Sequence, residues 1–209
     1  MSSFRSDPIL WIHIAGLATL PFFLVLCLLS LAIGEPLFPV WGELLLVATV
    51  GVTPLLWMQL RRPFYIYSLL GIALKPENLT EQQRKILCLI NTKLNRVLSL
   101  VAAIILTVIL WQLYKVVPQM QHLVSFLPQW HGLGLLLAAL TFLASNLFLQ
   151  VPVSVARILV TNDTEFAALE PLSLENIKHD FTILGVQVNQ ILPRLFQSFI
   201  GSNRNSQQP

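Results

Sequence analysis

Residues 97–114 read VLSLVAAIILTVILWQLY, 18 positions without a charge, held between Arg96 and Lys115. A helix advances about 1.5 Å per residue, so this run covers about 27 Å, close to the ~30 Å hydrocarbon layer of a bilayer. Working outward, three more such runs appear, at residues 8–33, 40–60 and 132–156. Asp7 is suited to cap the first run, with Pro8 at the first helical position, where its missing N–H costs nothing. Pro21 is placed to bend that helix, and Gly34-Glu35-Pro36 carries the turn chemistry that ends it. The charge-free stretch from 8 to 34 far exceeds a signal-peptide core of roughly 7–15 residues, so it is expected to be retained as a span. The second run stops at Arg61-Arg62-Pro63. The expected fold is an all-α integral membrane protein with four transmembrane helices and cytoplasmic amphipathic helices.

Composition agrees. Of 209 residues, 55% are hydrophobic and 11% charged, with a mean hydropathy of +0.71; a soluble domain carries about 25% charged residues. Four spans leave no room for a soluble domain of ordinary size. The chain divides into a first transmembrane hairpin (1–60), a basic connection with an amphipathic helix (61–96) and a second hairpin (97–156). An amphipathic C-terminal segment (157–201) and a polar tail (202–209) follow. Cys27 falls inside the first span and Cys88 in the polar connection, depths that a disulfide cannot bridge.

Orientation follows from the basic residues. Of 13 Lys and Arg, 12 fall on the side holding the N-terminus, the middle connection and the C-terminal region, against Lys115 on the other. The positive-inside rule makes that side cytoplasmic. The net charge of +3 therefore reads as topology rather than nucleic-acid binding. The glycosylation patterns at Asn78 and Asn162 become accidental. Trp11, Trp41, Trp57, Trp111 and Trp130 lie near span ends, where amphipathic indoles meet the headgroups. Small residues recur at Gly134, Ala138, Thr141 and Ser145, and at Ser99, Ala103 and Thr107, marking faces where helices approach closely; packing within the chain outweighs a dimer contact.

Three stretches are expected on the membrane surface. Residues 63–74, with Phe64, Tyr65 and Tyr67, are too short to span. Thr80-Glu81-Gln82-Gln83 has capping-box form and opens a helix whose apolar positions Ile86, Ile90, Leu94, Val97 and Val101 share a face, so that it runs unbroken into the third span. From 173 to about 200, Ile177, Phe181, Leu184, Val188, Ile191 and Leu195 recur with helical period. This stripe, with Gly185 and Pro193 weakening the helix, is the expected surface for docking a partner or the membrane.

Reactive chemistry is scarce. The spans hold almost no ionisable residue away from their ends, which argues against an ion or proton pathway. Glu43 is expected to reach the interface. Gln59, Gln112 and Asn146 are expected to bond between helices. His13 and His179 fall on one side, and His122 and His131 on the other beside a loop, so no metal site is expected. His13 is a weak candidate ligand for a chlorophyll magnesium; bonding to backbone at the interface outweighs it. No catalytic residue and no other cofactor is expected.

Residues Ser6-Asp7-Pro8-Ile9-Leu10-Trp11-Ile12-His13 followed by Ala15-Gly16-Leu17-Ala18 resemble the opening of the cyanobacterial low-complexity tail membrane proteins. Pro39-Val40-Trp41-Gly42-Glu43-Leu44-Leu45-Leu46 is similar too, as are Asp180-Phe181-Thr182 and Ile191-Leu192-Pro193-Arg194. The most specific part is Leu56-Trp57-Met58-Gln59-Leu60-Arg61-Arg62-Pro63-Phe64-Tyr65-Ile66, with Leu74-Lys75-Pro76-Glu77. The resemblance reaches to about residue 200 and departs at the tail, where eight residues follow Gly201. It implies a thylakoid or plasma membrane and assigns no catalytic residues. The expected function is a non-enzymatic protein acting through contacts with other membrane proteins, in assembly or maintenance of photosynthetic complexes. The alternatives are a small transporter or channel subunit, or a pigment- or lipid-binding protein. Oligomeric state stays open.

Overall fold

The computed structural model describes residues 4–69, 71–126 and 130–191. The first span begins with α1 (Pro8–Gly16), and Asp7 caps it by accepting from the Ile9 N–H at 3.0 Å. A 3-10 turn (Leu17–Thr19) separates α1 from α2 (Leu20–Leu31). Pro21 supplies the cause, since it offers no N–H and its ring crowds the carbonyl four residues back. The second span is α3 (Val40–Arg61). The hairpin strands β1 (Ser68–Leu69) and β2 (Ile72–Leu74) come next, then α4 (Glu81–Ile90). The third and fourth spans are built on α5 (Lys93–Met120) and α6 (His131–Val160). Two short helices, α7 (Asp163–Ala167) and α8 (Leu174–Asp180), and strand β3 (Val186–Val188) complete the described chain. Among the described residues, four helical segments are thus long and apolar enough to cross a bilayer.

In the bundle, α6 packs along α2, α3 and α5, while α5 also touches α2 and α3. The third and fourth spans therefore form the diagonal of the bundle, and the first and second flank it. Small residues set the spacing. A Cβ on Gly134 would lie 2.6 Å from the Ser30 carbonyl oxygen, and one on Gly51 would lie 2.5 Å from Phe142 Cδ1. Cys27, Val47, Leu106, Leu110, Ala138 and Phe142 fill the apolar middle. All five tryptophans point outward, between 47% and 73% exposed, as residues bound for the headgroups should. The buried amides and hydroxyls mostly bond their own helix rather than a neighbour: Asn146 Nδ2 donates to Phe142 O, Ser145 Oγ to Thr141 O and Ser154 Oγ to Gln150 O. Gln59 accepts from the Phe64 N–H, and Gln112 is exposed on the lipid side.

The face bearing the N-terminus carries a cap with its own core. Phe4, Leu10, Tyr65, Tyr67, Ile86 and Ile177 are among the residues buried there. Residues 63–74 are therefore not a flat interfacial segment: Tyr65, Ile66 and Tyr67 are at most 1% exposed. Tyr67 donates to Asp7, and its burial, with that carboxylate beside it, keeps the phenol protonated far above the usual range.

The capping box at Thr80 and Gln83 forms as expected. The continuous helix does not, because the chain breaks at Asn91 and Thr92 starts a new helix by accepting from the Asn95 N–H. The break rotates the faces. Ile86 and Ile90 are buried in the cap while Leu94, Val97 and Val101 are exposed toward lipid.

Cationic side chains tie this cap together at helix ends. Arg5 donates to Leu159 O and Thr161 O at the end of α6, Arg157 to Leu89 O in the last turn of α4, and Lys85 to Ala167 O at the end of α7. Arg62 Nε donates at 2.6 Å to His179 O in the last turn of α8. Each cation meets carbonyls that a helix leaves open and the negative end of its dipole.

Close approach at Gly134 yields a discriminating prediction. Gly134→Ala should lower stability by about 1–3 kcal/mol, as overpacking does. Gly132→Ala, whose Cβ would meet only Leu37 Cδ1 at 4.0 Å, should change it by less than about 0.5 kcal/mol. Thermal unfolding midpoints of the purified variants in one detergent compare the two.

Candidate functional site at the far end of the bundle

The end of the bundle opposite the cap holds a buried ionisable cluster drawn from three spans. Glu43 lies in the first turn of α3, where Pro39 at the N-cap position offers no side-chain acceptor. The Glu43 carboxylate instead reaches back past the N-cap into the preceding loop, Oε1 accepting from the Leu37 N–H at 2.9 Å and the Phe38 N–H at 3.3 Å. Tyr114 on α5 donates to Oε2 at 2.8 Å. His131, the first residue of α6, sets Nε2 2.8 Å from Oε1 and Nδ1 2.6 Å from the Ile33 carbonyl oxygen.

A carbonyl only accepts, so Nδ1 carries the ring proton that meets Ile33 O, and Nε2 shares a hydrogen bond with Glu43 Oε1. Glu43 is fully buried and His131 is 5% exposed. The expectation that Glu43 reaches the interface is thus corrected: the loop after α2 folds over it and supplies the partners that water would have supplied. Sequence reasoning missed the cluster because it weighed the three residues separately. The usable signal was topological, since three span ends that must meet on one face carried an acid, a phenol and an imidazole.

Chemically, a carboxyl, an imidazole and a phenol could move a proton, but their hydrogen-bonding positions are filled by one another and by backbone. A nearby open pocket of about 320 Å³ is lined by Ala32, Gly34, Glu35, Gln121, His122 and Ser125. Neither Glu43 nor His131 lines it, and the arrangement is that of a lock between helices. Among the described residues no three His, Cys, Asp or Glu side chains gather into a metal-sized group.

The other sequence-derived candidates lie at the cap. His13 Nε2 sits 2.6 Å from the Ile66 carbonyl oxygen, with the Phe64 ring edge-on at 6.3 Å. The stripe expected on one long helix is divided. α8 ends at Asp180, Phe181 is extended, and Thr182 pairs with Pro63 and Tyr65 through backbone hydrogen bonds. Strand β3 then joins β2 in parallel. Gly185, at φ +106°, lies so close to Gly71 that any Cβ would strike its carbonyl oxygen, which a helix through this point could not allow. Ile177 and Phe181 are buried in the cap core, Val188 and Ile191 are partly buried, and Leu184 is half exposed. Leu195 and Pro193 lie outside the described residues.

Four apolar spans, a cap closing one end and a buried Glu43–His131 contact closing the other define a multi-pass helical membrane protein. Residues 6–193 match the low-complexity tail membrane protein-like family, and the chain belongs to it. No curated protein and no solved structure matches.

Removing one partner of this buried hydrogen-bonded pair strands the other, at a cost of about 1–3 kcal/mol. Glu43→Leu and His131→Leu should each lose stability on that scale, and the double variant should lose less than the sum of the two. A double-mutant cycle on chemical unfolding in detergent measures the coupling, expected above about 1 kcal/mol.

Proposed function

We propose that this protein is a non-catalytic membrane scaffold that works through contacts with other membrane proteins. The observation carrying this reading is the closure of Glu43, the only carboxylate within the four spans. Ionisable groups inside a bundle mark ion and proton pathways when they face a path, and this one is spent holding α3, α5 and α6 together. The proposal includes a process, assembly or maintenance of photosynthetic complexes, in the thylakoid or plasma membrane that the resemblance implies. We further read the cap face as cytoplasmic, from the 12 of 13 basic residues on that side.

Two measurements test it. Affinity purification of the full chain from its native membrane should recover defined membrane proteins in fixed proportion, and the purified chain in liposomes should pass no ions. Recovery of the chain alone, or an ion flux abolished by Glu43→Gln, overturns the reading. For orientation, a cysteine at Glu77, which is exposed and ion-paired with Lys178, should react only with reagent on the cytoplasmic side. Cys27 and Cys88 are replaced by alanine beforehand.

A further inference from the structure

Two spans carry the same arrangement, an indole with a cation one helical turn further along. On α3 the Arg61 guanidinium carbon lies 4.4 Å from the centre of the Trp57 ring, and on α5 Lys115 Nζ lies 5.5 Å from that of Trp111. Side chains four residues apart share a helix face. In both spans that face is open to lipid: Leu46, Val50 and Trp57 are exposed along α3, and Ile104, Val108 and Trp111 along α5. Arg61 and Lys115 are exposed at the head of these two stripes. Their depths are fixed against each other by the lock at the far end. Tyr114, the neighbour of Lys115, donates to Glu43, so both belong to the far boundary. From Glu43 to Arg61, α3 runs about 27 Å, close to the ~30 Å hydrocarbon thickness. The two cations therefore stand at opposite boundaries of the bilayer.

Arg61 also has donors to spare. Arg5, Arg62, Arg84, Arg96 and Arg157 each donate to a protein oxygen. Among the arginines of the described residues, Arg61 alone sets its guanidinium against a ring and no oxygen. A ring face attracts a cation without accepting its N–H groups as an oxygen would, so the guanidinium donors stay open. Lys115 is in the same position over Trp111, and among the described residues neither cation pairs with a carboxylate. At a bilayer boundary the complementary group is the lipid phosphate, an anion whose oxygens match the guanidinium fork two at a time. The aliphatic stripe that leads to each cation is where the acyl chains of the same lipid lie, which a free phosphate ion could not cover.

We infer that Arg61 with Trp57, and Lys115 with Trp111, are two phospholipid sites, one in each leaflet, that bind the lipid by its phosphate. The Arg61 site is the tighter, because a guanidinium holds two phosphate oxygens in a fixed geometry and an ammonium acts as a point charge. Held by a headgroup at both boundaries, the bundle keeps one depth in the bilayer.

Native mass spectrometry of the full chain in a neutral detergent tests this by titration with phosphatidylglycerol, with diacylglycerol of the same acyl chains as the phosphate-free control. Phosphatidylglycerol should bind in two steps and diacylglycerol should not bind. Arg61→Gln should weaken the tighter step about fivefold, and Lys115→Gln should weaken the other. Lys93→Gln removes an exposed charge at the same end of the bundle as Arg61, without a stacked indole. In a neutral micelle, with no charged surface to act on, it should change binding less than about twofold. Equal losses from Arg61→Gln and Lys93→Gln would make the attraction diffuse and overturn the inference. Binding of diacylglycerol as tight as that of phosphatidylglycerol, or displacement of the lipid by excess inorganic phosphate, would overturn it too. Arg61→Gln should keep the parent's thermal midpoint in lipid-free detergent. A lower midpoint would mean that Arg61 serves the fold instead of a headgroup, which also overturns the assignment.

Discussion

Helices end with carbonyl groups that have no partner in the helix, and at the cap face several helices end close together. That surplus of acceptors is the constraint on which this end of the structure depends. Arg5, Arg62, Lys85 and Arg157 each reach from a distant part of the chain to the closing carbonyls of a helix. The same residues set the orientation of the chain in the positive-inside reading. Charge held on one side of a membrane is thereby also used as mortar between helix ends. This explains why the cap is compact although its pieces come from residues near 5, 65, 85, 160 and 180.

The far end solves a related problem in the opposite manner. There α3 and α6 begin, so their first amide N–H groups stand open beside the closing carbonyls of α2 and α5. A carboxylate is the complementary group, and Glu43 accepts from two amides of the preceding loop. Buried from solvent, it is met by His131 Nε2 at 2.8 Å. Tyr114 adds the third span. One end is held by cations on helix C-termini and the other by an anion near a helix N-terminus, as the helix dipole favours at both ends. Between them lies an apolar core in which glycine at 51 and 134 brings helices close enough for dispersion to hold them.

The sheet at the cap shows how local periodicity can mislead. Ile177, Phe181, Leu184 and Val188 are spaced like one face of a helix, yet only Ile177 lies in one. The reason is competition for backbone partners. Extended residues after Phe181 find open donors and acceptors in residues 63–74, and Gly185 accepts a positive φ beside Gly71 that a residue with a side chain would resist. A similar competition splits α4 from α5, since Thr92 caps a new helix more favourably than Asn91 continues the old one.

Sequence by itself determined the four spans, their approximate limits, the Asp7 cap, the capping box at Thr80 and the outward tryptophans. These depend on residues within a few positions of one another, where hydropathy, charge and cap chemistry act directly. Tertiary structure alone decided that Glu43, Tyr114 and His131 meet, that the arginines close other helices, and that residues 182–188 pair with residues 63–74. Those contacts join groups 71 to 156 residues apart in several cases. Which buried acceptor meets which donor is fixed by the way helices pack, and pattern along the chain carries no record of it.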